Sequence, residues 1–438
     1  MHSSVWHPYT QMREWNSFDV IVKGKGMWLY DKKGDRLLDG VASMWCNVWG
    51  HSKDELVQAM VKQTKKLQHS SLFNLTNDKA EELAKIMVRL APNMHKVFYS
   101  DDGSTAMEVS AKMALQYWQN RGEKKRTRFV TLENSYHGDT IGTMSLGYVP
   151  SFFSRYKSVL FSAIRATSPS SYRIPNGFTI KDFENHCLDR IEKTLSQNNN
   201  IAAFVMESGA QVAGGVNIYP DGFQSKISKL CKKHDVLYIL DEIATGLGRL
   251  GSMVEYQAQK STPDIVAFGK MLTAGYLPLA TTLASKKVYD AFLGQYQDMR
   301  HFFHGHTFTG NPLACATAIT NLALYKKYNI LSKVKKSSAY LQSRVDEISE
   351  LDIVGDVRHK GMLMGIELVS NKARKTPISP QKRIYQKIFN EAKKHKIYLR
   401  TLGHIVMLVP PLAISERELE FLVDGTIDTI KNVSQKIL

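Results

Sequence analysis

Val236–Arg249 reads VLYILDEIATGLGR. Val236–Leu240 are all apolar or aromatic, the pattern of a short strand buried on both faces. The run ends on Asp241, a carboxylate at a buried strand terminus, and passes into a loop with glycines at 246 and 248. Four further runs have the same character: KVFYS (Lys96–Ser100), RFVTLE (Arg128–Glu133), IAAFVME (Ile201–Glu207) and DIVAFG (Asp264–Gly269). Helical or loop sequence separates them, for example STAMEVSAKMALQYWQN (Ser104–Asn120). Short continuous apolar strands alternating with helices predict an α/β fold with a mostly parallel sheet covered on both faces.

The flanks read differently. VIVKG and MWLYD near the N-terminus predict a pair of strands, and Ser52 with Glu55 fits a capping box opening the next helix. From about Asn311 the chain is helix-rich. Its tail mixes helices with the strand-like runs GMLMGIELV, KIYLRTLG and IVMLVPP, as a smaller α+β domain does. The expected organisation is an N-terminal segment, 1–50, that joins the small domain; a large domain, 51–310; and a C-terminal helix with the small domain, 311–438.

Composition narrows the function. The chain has 438 residues and a formal net charge of +17, but its Lys and Arg are scattered through short clusters. No basic motif with interleaved aromatics suggests nucleic-acid binding. No apolar run approaches a membrane span, and the start MHSSVWHPYT lacks the build of a signal peptide. The four cysteines, Cys46, Cys187, Cys231 and Cys315, have neither metal-ligand spacing nor a disulfide framework. A cytoplasmic, metal-free protein acting on small molecules is the expectation.

In parallel sheets ligands gather at the carboxyl ends of the strands. There this chain places Gly103–Ser104, Tyr136, Glu207, Asp241 and Lys270. Each has an ordinary reading: a helix cap, a core aromatic, a strand-end carboxylate closing a turn, a solvated lysine. Gly246, Gly248 and Gly251 also spell G-x-G-x-x-G, but no strand runs directly into them and no ribose-binding acid follows at the required place. Together the rim residues fit pyridoxal phosphate. That cofactor needs an amine to link to its aldehyde, an acid to keep its ring nitrogen protonated, an anion cradle and a ring to stack on it. Lys270, Asp241, Gly103–Ser104 and Tyr136 supply these in turn. A non-catalytic small-molecule binder on the same scaffold is the alternative from another class, and the retained Lys270 argues against it.

DEIATGLGR followed by DIVAFGK resembles the class III, fold-type I pyridoxal-phosphate aminotransferases, and the resemblance covers nearly the whole chain. The class implies a large domain built on a mostly parallel seven-stranded sheet, a smaller α+β domain, and a homodimer with its sites at the subunit interface. VWHPYTQM, MALQYWQNRG, YHGDTIG and HGHTFTGNPLACA are similar to the branch that aminates 8-amino-7-oxononanoate to 7,8-diaminononanoate in biotin synthesis. The resemblance implies roles residue by residue. Lys270, Asp241 and Tyr136 would be catalytic. Gly103, Ser104, Tyr136, Glu207, Asp241 and Lys270 would bind the cofactor, with Thr307 reaching the phosphate from the other subunit. Arg400 would bind the oxononanoate carboxylate, and Tyr9, Trp45, Asp139, Arg249 and Gly305 would line the substrate site. Two positions depart from the pattern. Asp102 stands where the branch often has Ser, and is expected to turn away from the phosphate. Met44 stands where members using S-adenosylmethionine have a tryptophan. S-adenosylmethionine is the expected amino donor, with lysine as the alternative; another ω-amino-acid aminotransferase is the runner-up within the class.

Overall fold

A computed structural model of the chain describes residues 3–15 and 18–437. Its centre is a seven-stranded sheet in the order Met94–Ser100, Ala280–Ser285, Ile265–Phe268, Leu237–Asp241, Ile201–Glu207, Arg128–Leu132, Ile164–Ala166. The last five strands of that order pair in parallel. Ala280–Ser285 runs antiparallel to both its neighbours. Every residue of Leu237–Asp241 and of Ile201–Glu207 is buried, as unbroken apolar runs require when helices cover both faces.

Two strands of this sheet lie outside the five apolar runs: Ile164–Ala166 and Ala280–Ser285. The second reads ATTLAS, too polar to announce itself. Its Thr282 is nonetheless fully buried, because the hydroxyl donates to the carbonyl of Ala106 at 2.8 Å. Ala106 belongs to the helix Gly103–Asn120, whose buried side includes Met107, Ala114 and Trp118. Trp118 Nε1 donates to the carbonyl of Ala202, fixing that helix across the sheet at 2.8 Å.

Besides a two-stranded pair, Ala210–Gln211 with Asn217–Ile218, two smaller sheets accompany the large one. Ile21–Lys25, Trp28–Asp31 and Arg36–Asp39 form an antiparallel set, and Ile397–Tyr398 joins it in parallel register with Leu38–Asp39. The beginning of the chain is thus tied to its end. Val354–Lys360, Leu363–Asn371, Ile405–Leu408 and Arg400–Leu402 form the other sheet, with Thr376–Pro377 at its edge. The capping box at Ser52 does not form. The helix is Asp54–Lys66 with Lys53 at its N-cap, while Ser52 Oγ donates to the carbonyl of Gly24 at 2.8 Å. Glu55 accepts from Tyr328 Oη at 2.5 Å instead of reaching back to the cap. The competing tertiary partners win over the local motif. Among the described residues no helix is long and apolar enough to cross a membrane.

Candidate active site

The carboxyl ends of the parallel strands open onto a cavity of about 270 Å³. Trp45, Asp102, Gly103, Ser104, Tyr136, His137, Gly138, Glu207, Asp241, Thr245 and Lys270 line it. The sheet register explains the meeting. Asp241 and Glu207 are direct partners on adjacent parallel strands, so their carboxyl groups emerge side by side. Lys270 follows Ile265–Phe268 by two residues and has a φ of +43°, a left-handed conformation that is costly for a residue with a side chain. Its Nζ lies 5.3 Å from the centre of the Trp45 ring. Burial lowers the Lys270 pKa, against the opposing pull of Asp241 and Glu207.

The two carboxylates are held differently. Asp241 Oδ1 accepts the N–H of Ile243 at 2.9 Å, and Oδ2 lies 2.9 Å from His137 Nδ1. Glu207 accepts from the N–H of Val212 at 2.8 Å and of Tyr136 at 3.2 Å. Burial, with Asp241 beside it, pushes Glu207 up to about 8. His137 was not among the sequence candidates. It is buried, its Nε2 has no partner, and the signal that points to it is its place beside Tyr136 in the post-strand loop NSYHGDT.

Another part of the lining is suited to an anion. The helix Gly103–Asn120 starts there, so its first N–H groups face the space. Asp102 is the N-cap: its carboxylate accepts from Thr105 N–H at 3.0 Å, while Gly103 and Ser104 keep theirs. A side chain at Gly103 would come within 2.8 Å of Ile243, and one at Gly138 within 2.2 Å of Ser104 Oγ. Thr245 adds a buried hydroxyl without a partner. A cation-holding carboxylate, a desolvated amine, spare N–H donors at a helix N-terminus and two aromatic walls fit pyridoxal phosphate.

A second group adjoins Tyr136. Tyr9 Oη donates to Asp139 Oδ1 at 2.6 Å, and Arg400 lies 6.0 Å from the Tyr9 ring centre and donates to Met44 Sδ. Burial foremost, and Asp139 next, raise the Tyr9 pKa.

Three expected substrate or cofactor residues are elsewhere. Arg249 is fully buried and does not line the cavity. Its Nη1 donates to the carbonyls of Met362 at 3.0 Å and Pro410 at 2.7 Å, and burial lowers it to about 10. In this structure the guanidinium ties the loop after Asp241 to the C-terminal part of the chain. Gly305 and Thr307 lie on an exposed loop and do not line this chain's cavity.

The class-III aminotransferase profile matches residues 9–430. The chain is 44% identical to the adenosylmethionine-8-amino-7-oxononanoate aminotransferase of Geobacter sulfurreducens, over 98% of this chain and 96% of that one. The crystal structure of the enzyme of that name from Methanocaldococcus jannaschii superposes with a TM-score of 0.92 at 38% identity, covering 98% and 97% of the two chains. An amine transaminase from an uncultivated Pseudomonas species, solved in its PLP-bound form, gives 0.93 at 30% identity over 99% of each chain.

Proposed function

The chain belongs to the class-III aminotransferases, and from that membership we propose that it aminates 8-amino-7-oxononanoate to 7,8-diaminononanoate in biotin synthesis. Pyridoxal 5'-phosphate is the cofactor and S-adenosylmethionine the amino donor. The observation that carries the reading is the convergence of Lys270, Asp241 and the open helix N-terminus in one cavity. Relatives that carry this activity in their names support the choice of substrate.

When bound, the cofactor supplies an aldehyde that carries amino groups and a protonated ring that withdraws electrons from a neighbouring C–H bond. The chain supplies the rest. Gly103 and Ser104 N–H groups hold the phosphate. Asp241 keeps the ring nitrogen protonated, and His137 Nδ1–H fixes the rotamer of Asp241. Tyr136 covers one face of the ring. The lowered pKa of Lys270 makes its Nζ easier to deprotonate than an exposed lysine, so it can take the substrate's C–H proton and return it. Trp45 closes a wall and excludes water. Arg400 binds the oxononanoate carboxylate, flanked by Tyr9 and Asp139.

The site is completed by a second copy of the chain, with Gly305 and Thr307 reaching the partner's phosphate. Phe303 and Phe308 on that loop, and Phe73 and Leu75 nearby in sequence to one another, are exposed apolar residues that such an interface would cover. The segments 1–50, 51–310 and 311–438 are the proposed units of the subunit, and the cytoplasm is its proposed compartment.

Lysine is the second reading for the donor, favoured by Met44, which faces Arg400 where a second indole would stand. The test incubates purified protein with the oxononanoate and each donor separately, with product read by mass. Diaminononanoate from S-adenosylmethionine is expected. Product from lysine alone overturns the donor and keeps the acceptor. No diaminononanoate from either donor overturns the reading.

A further inference from the structure

The strand Arg36–Asp39 ends in a carboxylate with no exposed surface. Asp39 Oδ1 accepts the N–H groups of Val41 at 3.3 Å and Ser43 at 3.1 Å. Its Oδ2 accepts from Ser43 Oγ at 2.7 Å and lies 3.2 Å from His51 Nε2. The backbone it grips is unusual. Ala42, Ser43, Met44 and Trp45 have φ values of +47°, +47°, +79° and +70°. Trp45 N–H donates to Val41 C=O at 2.9 Å and Cys46 N–H to Ala42 C=O at 3.0 Å. This is one turn of left-handed helix, made without a glycine. Crowding between Cβ and the carbonyl disfavours every residue in it, so it persists only where its surroundings impose it.

The turn ends at the active site. It carries Trp45 onto the cavity wall, 5.3 Å from Lys270 Nζ, and Met44 against the guanidinium of Arg400. We propose that Asp39 is a positioning residue of this aminotransferase: its carboxylate pins the left-handed turn that sets Trp45 and Met44 in the substrate pocket. It acts through the turn and touches no reacting atom. Gly103, Ser104 and Asp241 sit on other elements, so loss of the Asp39 anchor loosens substrate recognition and leaves cofactor binding intact. The inference rests on the proposed transamination at this cavity.

The test compares Asp39→Ala, Asp39→Asn and Ser43→Ala in the loaded enzyme. Asp39→Ala is expected to raise KM for both oxononanoate and donor by about tenfold or more, because it removes hydrogen bonds to a buried charged group. Cofactor absorbance and kcat change little. Asp39→Asn keeps an oxygen for the two N–H groups and turns its amino group to Ser43 Oγ and His51 Nε2, both of which accept once His51, whose ring is partly exposed, carries its proton on Nδ1, so it holds both KM values within about threefold of the parent. Ser43→Ala falls between, and it decides the matter where Asp39→Ala does not fold. Unchanged KM values in folded, loaded Asp39→Ala, or in Ser43→Ala when Asp39→Ala does not fold, overturn the inference. So does an Asp39→Asn enzyme as damaged as Asp39→Ala. Inactivity of the parent on this substrate pair counts against the proposed function alone. Asp39 is then judged by the near-UV circular-dichroism signal that Trp45→Phe removes. That signal should vanish in Asp39→Ala and remain in Asp39→Asn; its survival in Asp39→Ala overturns the inference.

Discussion

Asp241→Asn changes one oxygen into an amino group and keeps the shape of the side chain. In the parent, Oδ1 takes the Ile243 N–H and Oδ2 faces His137 Nδ1, each at 2.9 Å. The amide can satisfy only one of these as it stands. Its oxygen keeps the Ile243 N–H, and its NH2 then points at His137 Nδ1. Two donors cannot face each other, so His137 must shift its proton to Nε2. That nitrogen is buried with no partner, so the move strands a donor. The variant therefore loses the charge that holds a protonated ring nitrogen and also unsettles the residue that orients the side chain. A hydrogen bond to a charged group contributes about 1.5–3 kcal/mol, which is a rate loss between about 10-fold and 150-fold if it acts only in the transition state. The assay is the single-turnover rate of each half-reaction, followed by the cofactor's absorbance in protein that still carries it. Both half-reactions should slow together, because both use the same ring. A rate within about twofold of the parent would refute the pairing of Asp241 with the ring nitrogen.

Lys270→Ala should retain cofactor through the Gly103–Ser104 cradle and show no multiple turnover; sustained turnover without added amine removes Lys270 from its role. For Glu207 the pKa is raised by folding, from the ordinary 4.5 to about 8. Its contribution to stability is therefore fully present below about pH 4.5 and lost as pH rises to about 8. In cofactor-free protein, the urea midpoint of the parent should fall relative to Glu207→Gln across that window, and a flat difference contradicts the assignment. Arg249→Met leaves two buried carbonyls without a donor, at about 1–3 kcal/mol each, partly offset by removing a buried cation. Its urea midpoint should drop with both KM values unchanged; a selective rise in one KM would return Arg249 to the substrate site.

The sheet was readable because its central strands are buried on both faces and so carry unbroken apolar runs. Ala280–Ser285 was not, because its threonines are satisfied by a helix distant in sequence, as with Thr282 and Ala106. The rim followed from the parallel topology, which sends successive strand ends to one side whatever their separation along the chain. Gly103, Ser104, Tyr136, Glu207, Asp241 and Lys270 all line the cavity for that reason. Contacts made away from those strand ends were opaque. Nothing local shows that Arg249 turns inward to the carbonyls of Met362 and Pro410, or that Ser52 binds Gly24 and abandons its helix. The left-handed turn at Ala42–Trp45 was hidden for a similar reason. None of its residues favours positive φ, and the conformation comes from Asp39.

Side by side at the strand ends, Glu207 and Asp241 cannot easily both be ionised, since each repels the charge on the other. The structure resolves the conflict by unequal support. Glu207 receives two backbone N–H groups, yet burial and its neighbour still push it up to about 8. Asp241 has the N–H of Ile243 and a histidine that can donate from Nδ1. Glu207 therefore keeps its proton near neutral pH. Two like groups held apart in this way take two roles. Asp241 is left to face a cation at the cavity floor, while a neutral Glu207 anchors the Tyr136 backbone without competing for that cation. Lys270 is a weaker counter-ion for Asp241 than an exposed lysine would be. Its burial favours the neutral amine, and proton transfer needs that amine free. A cation for Asp241 can come from the ligand instead, and a protonated pyridine ring has the charge and the single N–H that the remaining lone pairs can accept.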